Sequence, residues 1–442
     1  MSLVPPDESV MAMTDDLLAR HKAVMPAWMP IYYREPIELV SGSGRRVTDS
    51  AGRTYLDFFG GVLTNMVGYD IPEIREAVER QLATGIVHTS TLYLIRQQID
   101  LAEKVARVSG IPDPRVFFTN SGTEANEAAL LVATNHRRSN QILAVRNSYH
   151  GRSYAAMGIT GHRSWSSSSL NPLQVSWLHS GDRLRGLLAR LDEDEHVEAA
   201  VDDLREVLAT QTAGDVAALI AEPVQGVGGF VAGPDGLFGA LKKVLDETGI
   251  LLISDEVQTG WGRTGEHFWG YQAHGVVPDL LTFAKGIGNG FALAGVVGRA
   301  EVMNEVPAIS FSTFGGNPVS TAAGNAVLDY VLDHDLQGNA ARTGAILRAG
   351  LDELAESCAI VAEVRGKGLM LAVEFVQPGT TQPDAAATGR VFEECKARGL
   401  LVGKGGLYGN VVRMGPPMTL TDDEAREALG IIVDAIRAVE AE

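Results

Sequence analysis

The chain has 442 residues, of which 45% are hydrophobic, and a formal net charge of −18. This length predicts two domains. The charge argues against nucleic acid as a partner, because phosphate backbones are bound by lysine and arginine clusters. No window approaches the roughly 20 unbroken apolar residues that a membrane span needs, and the first ten residues, MSLVPPDESV, show no signal-peptide pattern. Cys358 and Cys395 are the only cysteines and have no metal-type spacing, so we expect a reduced, cytoplasmic protein with no metal site and no membrane partner.

Strand-like and helix-like patterns alternate along the chain. Residues 47–58 (VTDSAGRTYLDF) predict a hairpin near the N-terminus. In the middle of the chain, residues 237–245 place four apolar side chains on one helical face before Gly249. The short apolar runs that predict strands are 115–118, 142–145, 175–178, 217–221, 250–254 and 280–284. Residues 361–375 and 409–417 predict a small mixed α/β unit near the C-terminus.

Apolar strands separated by amphipathic helices are typical of a mostly parallel sheet covered by helices. The predicted fold class is therefore α/β, with a large domain around this sheet and a smaller α/β domain built from both chain ends. The expected boundaries are 1–62 for the N-terminal part of the small domain, 63–325 for the large domain and 326–442 for the C-terminal part. Ligands bind beyond the carboxyl ends of the strands in such sheets, and polar motifs follow the predicted strands there.

The segment FFTNSGTEANEAAL (117–130) passes from a predicted strand into a helix. Ser121 and Glu124 make the S-x-x-E pattern of a capping box, so Ser121 is predicted to cap the helix. A helix start at the end of a parallel strand, with Gly122 exposing backbone N–H groups, is equally typical of a phosphate site. The residues alone leave both interpretations open.

Two charged motifs end apolar runs. LLISDEVQTGWGRTG (251–265) leads an apolar strand into Asp255 and Glu256, which fit a helix cap. However, a carboxylate among apolar side chains needs a cationic or hydrogen-bonding partner, and the protonated ring nitrogen of a cofactor would serve. In LLTFAKGIGNGFALAG (280–295), Lys285 lies between an apolar run and a glycine-rich loop. A buried lysine is tolerated there mainly when it has a partner or a chemical role.

Other loops carry weaker signals. Tyr149 and His150, in RNSYHGRS (146–153), are of types that more often serve packing than ligand binding in such a loop. The glycines of EPVQGVGGF (222–230) and GIGNG (286–290) do not match G-x-G-x-x-G. That mismatch disfavours a nicotinamide-dependent oxidoreductase, which would otherwise explain the fold.

Six ordered motifs resemble those of the class III pyridoxal-phosphate aminotransferases, which have fold type I. They are NSGTEANEAAL, SYHGR, EPVQG, SDEVQTGWGRTG, FAKGIGNG and FSTFGGNP. Three further segments, TFAKGIGNGFALAGVVG, VRGKGLMLAVEF and GLLVGKGG, are most similar to the alanine–glyoxylate and ω-amino acid aminotransferases. The resemblance implies pyridoxal 5'-phosphate as cofactor, small amino acid and keto acid substrates, and a homodimer whose subunits share their active sites.

The resemblance also implies a role for each matching residue. By this resemblance, Lys285 corresponds to the Schiff-base lysine, whose amine needs a pKa below its reference value of roughly 10.4. Asp255 corresponds to the carboxylate that keeps the pyridine nitrogen protonated. The other implied cofactor contacts are Gln258 at the ring hydroxyl, Val257 and Tyr149 on the ring faces, Ser121, Gly122 and Thr123 at the phosphate, and Thr313 at the phosphate of the neighbouring subunit. Glu222 and His150 are implied to support these contacts. Arg413, in NVVRMGPP, matches the arginine that binds the substrate carboxylate bidentately.

Two positions depart from the family pattern. Relatives acting on 4-aminobutyrate or ornithine commonly read E-P-[IV]-Q-G-E, whose last glutamate can pair with the arginine, whereas this chain has Val227 there. We therefore expect Arg413 to be permanently available for a carboxylate, which favours alanine, glyoxylate and pyruvate. In NMVGYDIP (65–72), Tyr69 replaces a histidine of many relatives, and the roles of Asn65, Met66 and Tyr69 stay unassigned.

The expected function is transfer of an amino group from a small amino acid or ω-amino acid to a keto acid such as glyoxylate or pyruvate, by ping-pong chemistry at Lys285. The alternatives are a 4-aminobutyrate–2-oxoglutarate aminotransferase and an aminomutase or decarboxylase of the same class, which would share the chemistry of Lys285 and Asp255. A non-catalytic binding protein is disfavoured, because the full motif set is present.

Overall fold

The computed structural model describes the backbone of residues 8–442 and the side chains of residues 16–442, so residues 1–7 of the predicted N-terminal segment lie outside it. The helices in chain order are α1 (Glu8–Val24), α2 (Gly60–Leu63), α3 (Pro72–Ala83), α4 (Arg96–Val108), α5 (Gly122–Arg137), α6 (Tyr154–Gly158), α7 (Glu193–Thr210), α8 (Leu237–Thr248), α9 (Ala300–Met303), α10 (Pro318–Asp333), α11 (Leu336–Ser357), α12 (Ala385–Ala397) and α13 (Asp422–Glu440). The strands are β1 (Leu39–Ser43), β2 (Arg46–Asp49), β3 (Thr54–Asp57), β4 (Pro114–Thr119), β5 (Gln141–Val145), β6 (Gln174–Leu178), β7 (Ala218–Ala221), β8 (Val224–Gln225), β9 (Val231–Ala232), β10 (Leu251–Asp255), β11 (Leu280–Phe283), β12 (Ala294–Arg299), β13 (Val361–Lys367), β14 (Met370–Phe375), β15 (Leu400–Leu401), β16 (Gly403–Gly405) and β17 (Val411–Met414).

The largest sheet has seven strands in the order β4-β12-β11-β10-β7-β5-β6. All six strands predicted for the middle of the chain belong to it. The pairings among β6, β5, β7, β10 and β11 are parallel, whereas β12 is antiparallel to both β11 and β4. The predicted mostly parallel sheet is confirmed, and β12 is a strand that the sequence did not predict.

Helices cover both faces of this sheet, and each strand serves the two faces alternately. On β5, Ile142 and Ala144 pack in a cluster with Ala129 of α5, whereas Leu143 packs in a cluster with Leu204 of α7 and the apolar face of α8. The predicted helix over residues 237–245 is α8, and it ends at Gly249 in a left-handed conformation, as expected for a C-terminal glycine. All four residues of β7 are buried, since helices shield both of its faces.

The chain ends form two smaller sheets. The predicted hairpin is the antiparallel pair β2–β3, and Leu400–Leu401 of β15 extends it in parallel along Leu56 and Asp57. The second sheet, β13-β14-β17-β16, is antiparallel and carries α11, α12 and α13 nearby, which confirms the predicted α/β unit. The first small sheet therefore joins both ends of the chain, as the prediction of a composite small domain requires.

Two general features follow from the packing. No helix among residues 8–442 is long and apolar enough to span a membrane. Cys358 and Cys395 are buried and form no disulfide.

Candidate active site

A cavity of about 390 Å³ opens where the carboxyl ends of five parallel-running strands, β4, β5, β7, β10 and β11, meet. The sequence-predicted residues that line it are Ser121, Gly122, Thr123, Tyr149, His150, Glu222, Asp255, Val257, Gln258 and Lys285. These residues span more than 160 positions of sequence, and the sheet edge brings them together as expected for an α/β fold.

Lys285 follows β11 and begins a short 3₁₀ turn, Lys285–Gly288. Its φ of 51° lies in the left-handed region, which costs a non-glycine residue about 1 kcal/mol or more and is concentrated at functional sites. Burial lowers the pKa of Lys285 to about 8; the Arg413 charge acts in the same direction, and Asp255 and Glu222 oppose it. The amine is therefore much more readily deprotonated near neutral pH than an ordinary lysine, as a nucleophile or base requires.

Asp255 is the last residue of β10, and its carboxylate is held on three sides. Its Oδ2 accepts hydrogen bonds from Asn126 Nδ2 and lies 2.8 Å from His150 Nδ1, and its Oδ1 accepts one from the Val257 backbone N–H at 3.1 Å. Asn126 is itself fixed by the Thr282 hydroxyl, which donates to Asn126 Oδ1 at 2.7 Å. Asp255 is only 3% exposed, and these hydrogen bonds fix the orientation of its carboxylate. No arginine or lysine among residues 16–442 is bonded to it.

The helix start after β4 differs from the prediction in one respect. Ser121 caps α5 by accepting the Glu124 N–H, at a long 3.4 Å. The predicted reciprocal bond is absent among the described residues: Glu124 Oε2 accepts the backbone N–H of Asn120 at 2.6 Å and its side-chain amide at 3.1 Å, so it does not accept from Ser121. The capping box is thus half formed. The first N–H groups of α5, on Gly122 and Thr123, have no acceptor within the helix and remain available for an anion.

Gly122 and Thr123 contribute to this anion-binding helix start in different ways. A Cβ at Gly122 would lie 3.1 Å from Val257 Cγ1, so a side chain at this position would crowd Val257. The Thr123 hydroxyl faces away, accepting the N–H groups of Arg152 and Ser153 at 3.2 and 3.0 Å. Thr123 therefore offers the cavity its backbone N–H, while its side chain fixes the loop that carries Tyr149.

Glu222 follows β7 and accepts two backbone N–H groups, from Tyr149 and Gly226, each at 2.8 Å. Burial raises the pKa of Glu222 to about 7, against the effect of His150, and the charge of Asp255 raises it further. By bonding Tyr149 on one side and Gly226 on the other, Glu222 fixes one wall of the cavity.

The lining fits pyridoxal phosphate group by group. Gln258 Oε1 is buried and has no hydrogen-bond partner among the described residues, so it is an acceptor suited to a ring hydroxyl. Asp255 suits a protonated ring nitrogen, the start of α5 suits a phosphate, and Lys285 suits an aldehyde carbon. Among residues 16–442, whose side chains the structure describes, no cluster of His, Cys, Asp and Glu is able to hold a metal ion.

Arg413, on β17, does not line the cavity, but its charge reaches Lys285. Its Nη1 donates to Gly226 O at 2.9 Å, and Nε and Nη2 donate to Lys404 O at 3.1 and 2.8 Å. The guanidinium lies between the rings of Phe59 and Phe230. No carboxylate among residues 16–442 lies within 4.0 Å of it, and the Tyr32 hydroxyl is close enough to interact with it.

Thr313 also lies off the cavity wall, in an exposed loop. Its neighbours Phe311 and Phe314 are exposed as well, and Ile309 is 95% exposed.

Sequence reasoning missed Asn126, Asn120 and Thr64, which line or support the cavity. Asn126 carried a usable signal, because it is the polar residue on an otherwise alanine-rich buried face of α5. Of the residues left unassigned, Met66 is buried under Gly286, whereas Asn65 and Asp57 both bond to the Tyr69 hydroxyl, at 3.0 and 2.5 Å.

The comparisons with known proteins agree with this geometry. Residues 32–436 match the family model described as Aminotransferase class-III. Alanine–glyoxylate aminotransferase 2 homolog 2 of Arabidopsis thaliana is 41% identical over 417 residues, covering 93% of this chain and 85% of the relative. Among solved structures, an amine transaminase from an uncultivated Pseudomonas species in its PLP-bound form superposes with a TM-score of 0.87 at 32% identity, covering 95% of this chain and 97% of that one. A phospholyase from Arthrobacter in complex with phosphoethanolamine gives a TM-score of 0.87 at 35% identity, covering 96% and 100%.

Proposed function

The chain belongs to the class III aminotransferases, and we propose that it moves an amino group from a small amino acid or ω-amino acid to a keto acid such as glyoxylate or pyruvate. It is a pyridoxal-phosphate-dependent enzyme of fold type I. The observation that carries the proposal is the meeting of Lys285, Asp255 and the start of α5 around one cavity, with Arg413 nearby and free of carboxylate partners.

Pyridoxal phosphate supplies an aldehyde that bonds amines and a ring that accepts the electrons left when a C–H bond breaks. We assign its phosphate to the backbone N–H groups at the start of α5 and its ring hydroxyl to Gln258. Val257 and Tyr149 would contact the two faces of the ring in this assignment. Trp165 packs edge-on against Tyr149, with the two ring centroids 5.3 Å apart.

Lys285 holds the cofactor covalently and then acts on the substrate. Its lowered pKa leaves much more of the amine free near neutral pH than an ordinary lysine has. Its free Nζ would take the proton from the substrate carbon that bears the amino group and later give it up again, as general base and acid. The left-handed backbone at Lys285 aims this side chain from the end of β11 into the cavity.

Asp255 acts at the opposite end of the ring. Its buried carboxylate holds a proton on the ring nitrogen by charge and hydrogen bonding. His150 and Asn126 bond to the same oxygen of Asp255, so they fix the orientation of the carboxylate.

Arg413 binds the substrate carboxylate. Three bonds to backbone carbonyls and the nearby Tyr32 hydroxyl orient its guanidinium, and no carboxylate of residues 16–442 is paired with it, so it is available for a substrate carboxylate. Val227 follows Gly226, the residue that bonds Arg413, and supplies no competing carboxylate. This arrangement supports α-amino and α-keto acids as substrates in at least one half-reaction.

The active enzyme is a homodimer in this proposal, and Thr313 contacts the phosphate held by the other subunit. The support is the exposed apolar surface around it: Ile309, Phe311 and Phe314 would otherwise stay in water. Leu92, Tyr93 and Leu94 add to the exposed apolar area of the same chain.

Single-turnover spectroscopy tests the substrate assignment. The purified holoenzyme is mixed in turn with L-alanine, β-alanine and 4-aminobutyrate without keto acid, and the visible absorbance of the lysine-bound cofactor is followed. We expect L-alanine to remove the absorbance and glyoxylate or pyruvate to restore it. Efficient loss with 4-aminobutyrate, restored best by 2-oxoglutarate, would instead identify the 4-aminobutyrate alternative. Product formed in large excess over the enzyme without any added keto acid would identify an aminomutase or a decarboxylase.

A further inference from the structure

A second cavity, of about 190 Å³, lies outside the active site. We call it the Arg146 cavity; its lining includes Arg146, Ser180, Arg185, Arg365, Glu374 and Tyr408. No residue lines both this cavity and the one at Lys285. The loop of residues 226–229 separates it from Arg413, because Arg413 bonds to Gly226 O and Arg365 bonds to Gly229 O at 2.8 Å.

Both carboxylates that line the Arg146 cavity, those of Glu374 and Asp182, accept hydrogen bonds from neighbouring protein groups. Glu374 accepts from Arg185 Nε and from Arg365 Nη1, each at 2.6 Å, and from Asn410 Nδ2 at 3.0 Å. Together, these arginines hold the pKa of Glu374 below its usual range despite its burial. Asp182 Oδ1 accepts the backbone N–H groups of Leu184 and Arg185. These carboxylates thus bond to groups of the cavity wall, and one further cation of the lining is bonded to neither of them.

Arg146 is that further cation. Its backbone is fixed on both sides, since its N–H donates to Leu178 O at 3.0 Å and its carbonyl accepts from Gln225 Nε2 at 2.8 Å. Among residues 16–442, no carboxylate lies within 4.0 Å of the Arg146 guanidinium. Arg185 Nη2 on the same wall is buried and without a hydrogen-bond partner among those residues. Of the arginines around this space, Arg365 bonds to Glu363 and Glu374 and Arg185 bonds to Glu374, which leaves the exposed Arg146 guanidinium as the one without a carboxylate partner among residues 16–442.

We propose that the Arg146 cavity is a binding site for a small anion that carries a carboxylate or a phosphate group. Guanidinium groups bind both groups bidentately. A volume of about 190 Å³ is below that of ordinary drug-sized pockets, so the site takes a small molecule rather than a nucleotide. The site is separate from the proposed transamination, and its test does not depend on turnover.

Isothermal titration of the holoenzyme, saturated with pyridoxal phosphate to fill the active site, tests the proposal. The probes are inorganic phosphate and malonate, titrated separately at low ionic strength, where charge interactions are least screened. We expect one site per chain for at least one probe. Binding of phosphate alone would indicate a phosphate-bearing ligand, and binding of malonate alone would indicate a carboxylate.

Three variants locate the site. Arg146→Gln is expected to weaken binding about tenfold, as loss of a charged hydrogen-bonding partner does, and Arg107→Gln, an exposed arginine of α4, is the matched control that leaves it unchanged. Arg413→Gln is expected to retain binding. Arg146→Lys keeps the positive charge but loses the bidentate geometry of the guanidinium, so we expect an intermediate affinity for the probe. This variant supplies the test if Arg146→Gln does not fold. Binding that is lost in Arg413→Gln and kept in Arg146→Gln, or no binding of either probe, would overturn the proposal.

Discussion

Nδ1 of His150 lies 2.8 Å from Oδ2 of Asp255, and both side chains are buried. Asn126 Nδ2 donates to the same carboxylate oxygen and also to the backbone carbonyl of His150. The carboxylate is thereby fixed before any ligand arrives. This preorganisation places a negative charge where the proposed role of Asp255 needs it, at a site that water does not screen.

Replacing the carboxylate by its neutral isostere tests that role. Asp255→Asn keeps the shape of the side chain but removes the charge that holds the ring nitrogen protonated. We expect kcat to fall by about 100-fold or more, with cofactor binding partly retained, as measured by steady-state kinetics and cofactor absorbance. Asp215→Asn, an exposed position, is the control. Near-normal turnover in Asp255→Asn would rule the role out.

The pH dependence of cofactor attachment follows from the pKa of Lys285. Only the unprotonated amine reacts, so the rate at which apoenzyme takes up pyridoxal phosphate should rise with pH and level off above about 8. Ionised Glu222 raises this pKa, and Glu222→Gln should therefore move the midpoint to lower pH. Stopped-flow absorbance gives both profiles. A midpoint near the reference value of roughly 10.4 would show that burial does not act on Lys285 as described.

Val227→Glu tests why Arg413 is available. The residue follows Gly226, whose carbonyl bonds Arg413, and a new carboxylate there would compete with the substrate for the guanidinium. We expect the KM for L-alanine to rise about tenfold and the relative activity with 4-aminobutyrate to improve. Val227→Gln has similar size without charge and should leave the preference unchanged. If Val227→Glu altered neither substrate, the argument from position 227 would fail.

Subunit complementation tests the role of Thr313. In the proposed dimer, a chain with Lys285→Ala and a chain with Thr313→Ala together form one site with both changes and one with neither. Mixing the two variants under subunit exchange should therefore give more activity than either parent, up to about half of the wild-type value for each mixed dimer. If Thr313 served the cavity of its own chain, no mixed dimer would contain an intact site and no activity would be gained.

Much of the fold could be predicted because local pattern and tertiary environment agree. The strand that ends at Asp255 begins with three apolar residues, Leu251 to Ile253, and all five of its residues are buried, so its sequence pattern already predicts a place inside the sheet. β12 was missed because Gly295 and Gly298 interrupt its apolar run. A Cβ at Gly295 would lie 2.6 Å from the backbone oxygen of Phe117, so glycine is needed there, whereas one at Gly298 would lie 2.2 Å from a Leu280 methyl group, which would have to shift.

The site was predictable where a residue type matched a motif, and less so where long-range contacts decide its state. Lys285 and Asp255 lie on the same cavity, as the motifs imply. The half-formed capping box depends on the backbone of Asn120 competing for Glu124, which no spacing rule expresses. The surroundings of Arg413 come from Lys404 and from aromatic rings distant in sequence, so only the folded chain shows how many of its N–H groups remain.

The most direct test of the account is to identify the lysine that carries the cofactor. Borohydride reduces the carbon–nitrogen double bond between cofactor and lysine to a stable single bond, and peptide mass spectrometry then locates it. The account predicts a phosphopyridoxyl group on the peptide containing Lys285 and no such group in Lys285→Ala. Attachment at another lysine of the wild-type protein, or no attachment in a holoenzyme that shows the visible absorbance, would contradict it.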